Sequence, residues 1–96
     1  MTELVLVSNR RESLKPLVEA ALTNELRLIE AGIARTERRL RELEMRYGLA
    51  TTDFVRRYEN DEMDETLEFA GWIGEHRLLI RLKDKAETLR GIQFAN

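Results

Sequence analysis

The chain contains no cysteine, which excludes disulfide scaffolds, thiol nucleophiles and cysteine-ligated zinc. Aromatic residues make up only 6% of it, too few for a thick β core. Its longest unbroken apolar run, Leu4-Val5-Leu6-Val7, is far short of the roughly 20 residues that a membrane-spanning helix needs. No basic segment leads into a long apolar one at the start, so no secretory signal is expected and a cytoplasmic location is. Gly-rich phosphate loops, nucleophile elbows and zinc signatures are also missing. With 96 residues there is room for one domain and little loop from which to build a catalytic pocket. The expectation is a protein that is not an enzyme and uses no cofactor or metal.

What the chain has in quantity is charge, 35% against roughly 25% in an ordinary domain. The 16 Lys and Arg nearly balance 18 Asp and Glu, a net −2, without the basic surplus of a protein that grips a nucleic-acid backbone. DNA binding is therefore not favoured, and no helix-turn-helix spacing accompanies the charges. The two signs are segregated. Arg35, Arg38, Arg39, Arg41 and Arg46 form a basic block, whereas Glu59, Asp61, Glu62, Asp64, Glu65 and Glu68 form an acidic one with no base among them. Such separation permits pairing within the chain or with a partner.

Periodicity predicts an all-α fold, an elongated hairpin of a long helix, a short middle helix and a returning helix over 14–47, 52–59 and 64–90, with an N-terminal strand or extended arm in 1–12. The arm rests on the short β-branched run Leu4 to Val7. No second strand long enough to pair with it is visible, so pairing between the arms of two copies, or with a partner's sheet edge, is one outcome. Ser13 is suited to cap the long helix, Pro16 is tolerable in its first turn, and Gly48 is a natural stop. Within it Leu22, Leu26, Ile29, Ile33, Thr36, Leu40, Leu43 and Tyr47 recur at alternating steps of four and three, a heptad seam with one polar interruption. Upstream the seam slips, and Leu14, Leu17, Val18 and Ala21 supply the apolar face. A rod from Pro16 to Tyr47 is roughly 48 Å long, more than a compact chain of this size can enclose. An exposed seam and a homo-oligomer follow from that geometry.

Thr51-Thr52-Asp53 reads as a cap for the middle helix, and Asp61 or Asp64 as a cap for the last. The small residues Ala31, Gly32 and Ala34, and again Ala70, Gly71 and Gly74, suggest close backbone approach. Glu37 with Arg41 and Glu42 with Arg46 are well-oriented i,i+4 pairs. The lone histidine, His76, has Ile73 where a Glu-x-x-His metal motif needs an acid, so it is expected at an interface or half-buried. The acids from Asp61 to Glu68 lack the ligand spacing and turn glycine of a calcium loop; they are a solvated helix start or a mimic that blocks a basic, RNA-binding partner surface.

Several of these residues together resemble a family. Leu43-Glu44-Met45-Arg46-Tyr47-Gly48-Leu49, Asp53-Phe54, Arg57-Tyr58-Glu59-Asn60-Asp61-Glu62, Asp64 and Phe69-Ala70-Gly71-Trp72 are similar to a pattern of Glu-x-x-Tyr-Gly-Met, Phe, Tyr-Glu-x-Gly-Glu, Asp and Trp. It is found in short helical prokaryotic proteins that look like the antitoxin halves of toxin–antitoxin modules. Leu49 stands where Met is common and Asp61 where Gly is common, the latter removing the residue that a tight turn favours. The resemblance implies no catalytic residues. It implies a helical protein that holds a cognate toxin inactive through helix-packing surfaces. On this reading the seam Leu26, Ile29, Ile33, Leu40 and Leu43 supplies burial, Tyr47 and Trp72 join the partner-binding surface, and the acidic turn of Asp61, Glu62, Asp64 and Glu65, or the N-terminal arm, supplies specificity. A purely structural homo-oligomeric coiled coil is the alternative, and an autoregulatory DNA binder ranks third.

Overall fold

A computed structural model describes residues 2–4 and 11–94, and side chains over 14–92. It shows the elongated hairpin that periodicity predicts: α1 (Arg11–Tyr47), α2 (Thr51–Glu59) and α3 (Leu67–Arg90), flanked by β1 (Thr2–Leu4) and β2 (Ile92–Phe94). The molecule measures 59 × 22 × 18 Å with a radius of gyration of 18.9 Å, against about 13 Å for a compact chain of similar length. Helix α1, 37 residues long, spans roughly 55 Å and sets the long axis.

The heptad seam is buried within the chain. Ile29, Gly32, Thr36, Leu40 and Leu43 are buried, while Leu22, Leu26 and Ile33 are half-buried. They face the returning α3, whose Ile73 and Ala86 are also buried. This corrects the expectation of an exposed seam: α3 covers it, because folding back within one chain needs no second molecule to be ordered. Gly32 provides one close approach, where an added Cβ would stand 3.3 Å from Leu82 Cδ1. Ala31 and Ala34 are exposed, and a Cβ added at Gly71 or Gly74 would meet nothing within 4 Å. Ala70, Gly71 and Gly74 of α3 thus face solvent and not a neighbouring backbone.

Some ion pairs cross the hairpin and others run along one helix. Glu37 pairs with Lys83 at 3.5 Å and Glu30 with Arg90 at 3.0 Å, while Arg39 pairs locally with Glu42. Each is largely exposed and worth tenths of a kcal/mol; their effect is to favour one helix register over its neighbours.

Helix ends carry the clearest local logic. At the end of α1, Gly48 adopts φ +62°, and the Leu49 amide donates back to the Glu44 carbonyl at 3.2 Å. The left-handed residue and the reaching-back bond are a Schellman stop. Asp61 repeats it after α2: it takes φ +56°, its amide donates to Tyr58 O at 3.2 Å, and Glu62 N donates to Arg57 O at 2.8 Å. The tight turn therefore survives without glycine, since a short polar side chain tolerates this region better than most. Helix α1 starts at Arg11, so Ser13 lies inside it and Pro16 beyond its first turn, where the missing N–H leaves one carbonyl without its intrahelical donor. Helix α3 is capped by Thr66, whose hydroxyl accepts from Phe69 N at 3.0 Å, and not by Asp61 or Asp64.

The N-terminal segment finds a strand partner in its own chain. β1 and β2 pair in parallel, with Thr2 opposite Ile92, Glu3 opposite Gln93 and Leu4 opposite Phe94. A partner of three residues is too short to stand out by alternation, so none is visible in the sequence. Val5, Leu6 and Val7 of the expected strand lie outside the described residues.

The two stops give opposite predictions. Asp61→Gly relieves a left-handed non-glycine residue and is expected to raise stability by about 1 kcal/mol. Gly48→Ala creates one and is expected to lower stability by about 1 kcal/mol. Urea denaturation followed by circular dichroism measures both; equal midpoints for the two variants would contradict the paired assignment.

Candidate partner-binding tip

The closed end of the hairpin is where three helices meet. Trp72 and Phe54 are fully buried, and their rings stack with centroids 3.9 Å apart and planes inclined by 6°. Tyr47 stacks on the same indole at 5.7 Å and meets Phe69 edge-on at 5.1 Å. Leu40, Leu43 and Ile73 complete this core, with Leu49, Val55, Tyr58, Met63, Phe69 and Leu79 packed around it. The indole N–H is satisfied too: Trp72 Nε1 donates to Thr51 Oγ1 at 3.1 Å, as a buried tryptophan requires.

Thr51 works at both ends. Its backbone N–H donates to Glu44 Oε2 at 2.8 Å, so a carboxylate from α1 caps the first turn of α2. The Thr51-Thr52-Asp53 capping expectation is corrected accordingly: Ala50 is the N-cap residue and offers no side-chain bond. Sequence spacing could not reveal this cap, because its donor and acceptor belong to different helices. The start of α3 is held similarly. Glu68 accepts from the Tyr47 hydroxyl and from the Arg46 guanidinium, replacing the expected Glu42–Arg46 pair.

Across the acidic turn, the Tyr58 hydroxyl donates to Glu65 Oε2 at 3.1 Å. That bond to a carboxylate, helped by burial, raises the Tyr58 pKa above the usual 10.0. A raised acid favours the folded state fully below the unfolded value and loses the contribution as pH rises through the folded value.

The expected partner-binding residues thus divide into two sets. Ile29, Leu40, Leu43 and Trp72 are core, and Ile33 is half-buried between helices; they do not form a docking seam in this conformation. Leu26 is half-buried beside a shallow cleft near the open end, lined by Leu22, Leu89 and Ile92 among others. Tyr47 is 41% exposed, with its hydroxyl engaged by Glu68. Asp61, Glu62, Asp64 and Glu65 are all exposed. Among the described residues no ion pair engages Glu59, Asp61, Glu62 or Asp64. His76 is half-buried, and no group of three or more possible metal ligands is assembled among the described residues.

Two exposed apolar side chains at this end carry no signal in the sequence. Leu67, the first residue of α3, is 94% exposed and follows directly on the acidic turn. Met45 is 85% exposed and lines an open depression with Arg41, Glu44, Gly48, Leu49 and Ala50. Neither lies on the heptad seam, and only folding shows them uncovered. No helix among the described residues is long and apolar enough to cross a membrane.

Compared with protein-family models, curated proteins and solved structures, the chain matches none.

Two measurements probe this end. Thr51→Val removes the acceptor of a buried indole N–H and is expected to cost about 1–3 kcal/mol by urea denaturation; a cost near zero would remove the bond from the core's energetics. Absorbance titration should place Tyr58 ionisation above pH 10.0, and Glu65→Gln should move it downward, since the carboxylate is the first cause of the rise.

Proposed function

We propose that the chain is a non-enzymatic protein-interaction module, antitoxin-like, that occludes a small basic toxin in the cytoplasm. The observation that supports this most directly is the acidic turn. Glu59, Asp61, Glu62 and Asp64 are exposed and form no ion pair among the described residues, and Leu67 projects from the same segment. An apolar anchor with an acidic surround suits a positively charged partner surface, such as one that holds RNA. Apolar contact supplies affinity there, and charge supplies selection and rapid encounter. The rigid three-helix core behind the turn reduces the entropy lost on docking. The resemblance to antitoxin-like proteins points the same way, although the residues that carry it serve folding first: Glu44, Gly48, Phe54 and Trp72 cap, turn and pack the closed end.

The test uses the full chain. Tagged protein recovered from its native host is expected to bring down a stoichiometric small basic protein. Asp61→Asn, Glu62→Gln, Asp64→Asn and Glu65→Gln combined should weaken that complex at least about 100-fold. The amides keep the size of each side chain, and helicity serves as the folding control. Unchanged affinity in the folded variant would overturn the acidic-turn reading, and recovery of no second protein would favour the structural-oligomer alternative.

A further inference from the structure

Helix α3 is shorter than α1, 24 residues against 37, and leaves the start of α1 without a helical neighbour. Arg90, its last residue, pairs with Glu30, and Leu89 lines the cleft with Leu22 and Leu26. About twelve residues of α1, roughly 18 Å, continue past that point. On this stretch and just beyond it, Leu14, Leu17, Ala21, Asn24, Leu28 and Ala31 follow one another at steps of three and four. This is a second heptad stripe, on a different face from the seam that α3 covers. Leu17 is 68% and Leu28 60% exposed; Ala21, Asn24 and Ala31 are exposed and Leu14 half-buried.

We propose that this stripe is the contact between two copies of the chain, packed antiparallel about a two-fold axis between residues 22 and 23. The reason to choose a second copy is that the stripe complements itself when reversed. Antiparallel packing about that point sets Leu17 against Leu28 of the second copy, Leu14 against Ala31, and Ala21 against Asn24. Each layer then joins residues whose sizes suit one another, and small residues lie at the centre where the helices approach most closely. A two-fold contact demands this kind of self-complementarity; an unrelated partner does not. The two Asn24 amides fall about 4.5 Å apart along the axis, near enough to bond one another and specify the register, as a single polar seam residue does in coiled coils. The flanking charges Glu25 and Arg27 face Val18 and Ala20 of the second copy, so over residues 14–31 no like charges are opposed. Because the stripe is remote from the acidic turn, the dimer carries two free tips, one at each end.

Sedimentation equilibrium of the intact protein is expected to show twice 11.3 kDa, dissociating on dilution because the contact is at the small end of stable interfaces. Leu17→Asp with Leu28→Asp should raise the dissociation constant at least about 100-fold with helicity unchanged, since both residues are exposed in the single chain. The lack of native cysteine permits a test of register. Under oxidation, Leu17→Cys protein mixed with Leu28→Cys protein should form a mixed disulfide dimer, whereas Leu17→Cys alone should not, its sulfurs being roughly 16 Å apart. A monomer up to about 1 mM, a dimer indifferent to the two aspartates, or efficient cross-linking of Leu17→Cys to itself would each overturn the proposal.

Discussion

The stacked pair of Trp72 and Phe54, with the indole N–H bonded to Thr51, is the contact on which the closed end depends. It joins α3 to α2, and Thr51 in turn takes the Glu44 carboxylate from α1. Three helices are therefore tied at one place, by an apolar contact that is indifferent to direction and by hydrogen bonds that are not. A buried tryptophan removes about 200 Å² from water, worth about 5 kcal/mol by area. In a chain with so few aromatic residues, that single contribution is a large part of net stability.

The hairpin is unevenly supported along its length. Its closed half is a three-helix core with buried rings and defined stops at Gly48 and Asp61. Its open half is two helices joined by Ile29, Gly32, Leu82 and Ala86 and by exposed ion pairs, and beyond Arg90 only one helix remains. Local opening free energies are lowest where buried apolar contacts are few. The closed end is thus suited to present a fixed surface, and the projecting start of α1 to gain stability from packing.

Segregated charge has different consequences in the two blocks. Arg39 and Arg46 are paired with Glu42 and Glu68, so part of the basic block is neutralised inside the molecule. The acids from Glu59 to Asp64 are left to solvent. A nearly balanced chain therefore carries a local negative field at one end, and local fields, more than net charge, steer encounter.

Much of the layout was legible in the sequence. The α1 seam, the stop at Gly48 and the elongated shape follow from spacing over three or four residues, and α-helices are made by interactions of that range. Tertiary structure decided the rest. It turned the seam inward against α3, placed Ser13 inside α1, replaced the Thr51-Thr52-Asp53 run and Asp61 or Asp64 as caps by Glu44 and Thr66, gave β1 a partner 90 residues away, and left Gly71 and Gly74 in the open. Periodicity reports that a helix has an apolar face; it carries no record of what will cover that face. That depends on where the chain reverses and how far the returning helix reaches. Here α3 ends beside Leu22 and Leu26 and covers the seam face of α1, which leaves the face of Leu17 and Leu28 exposed.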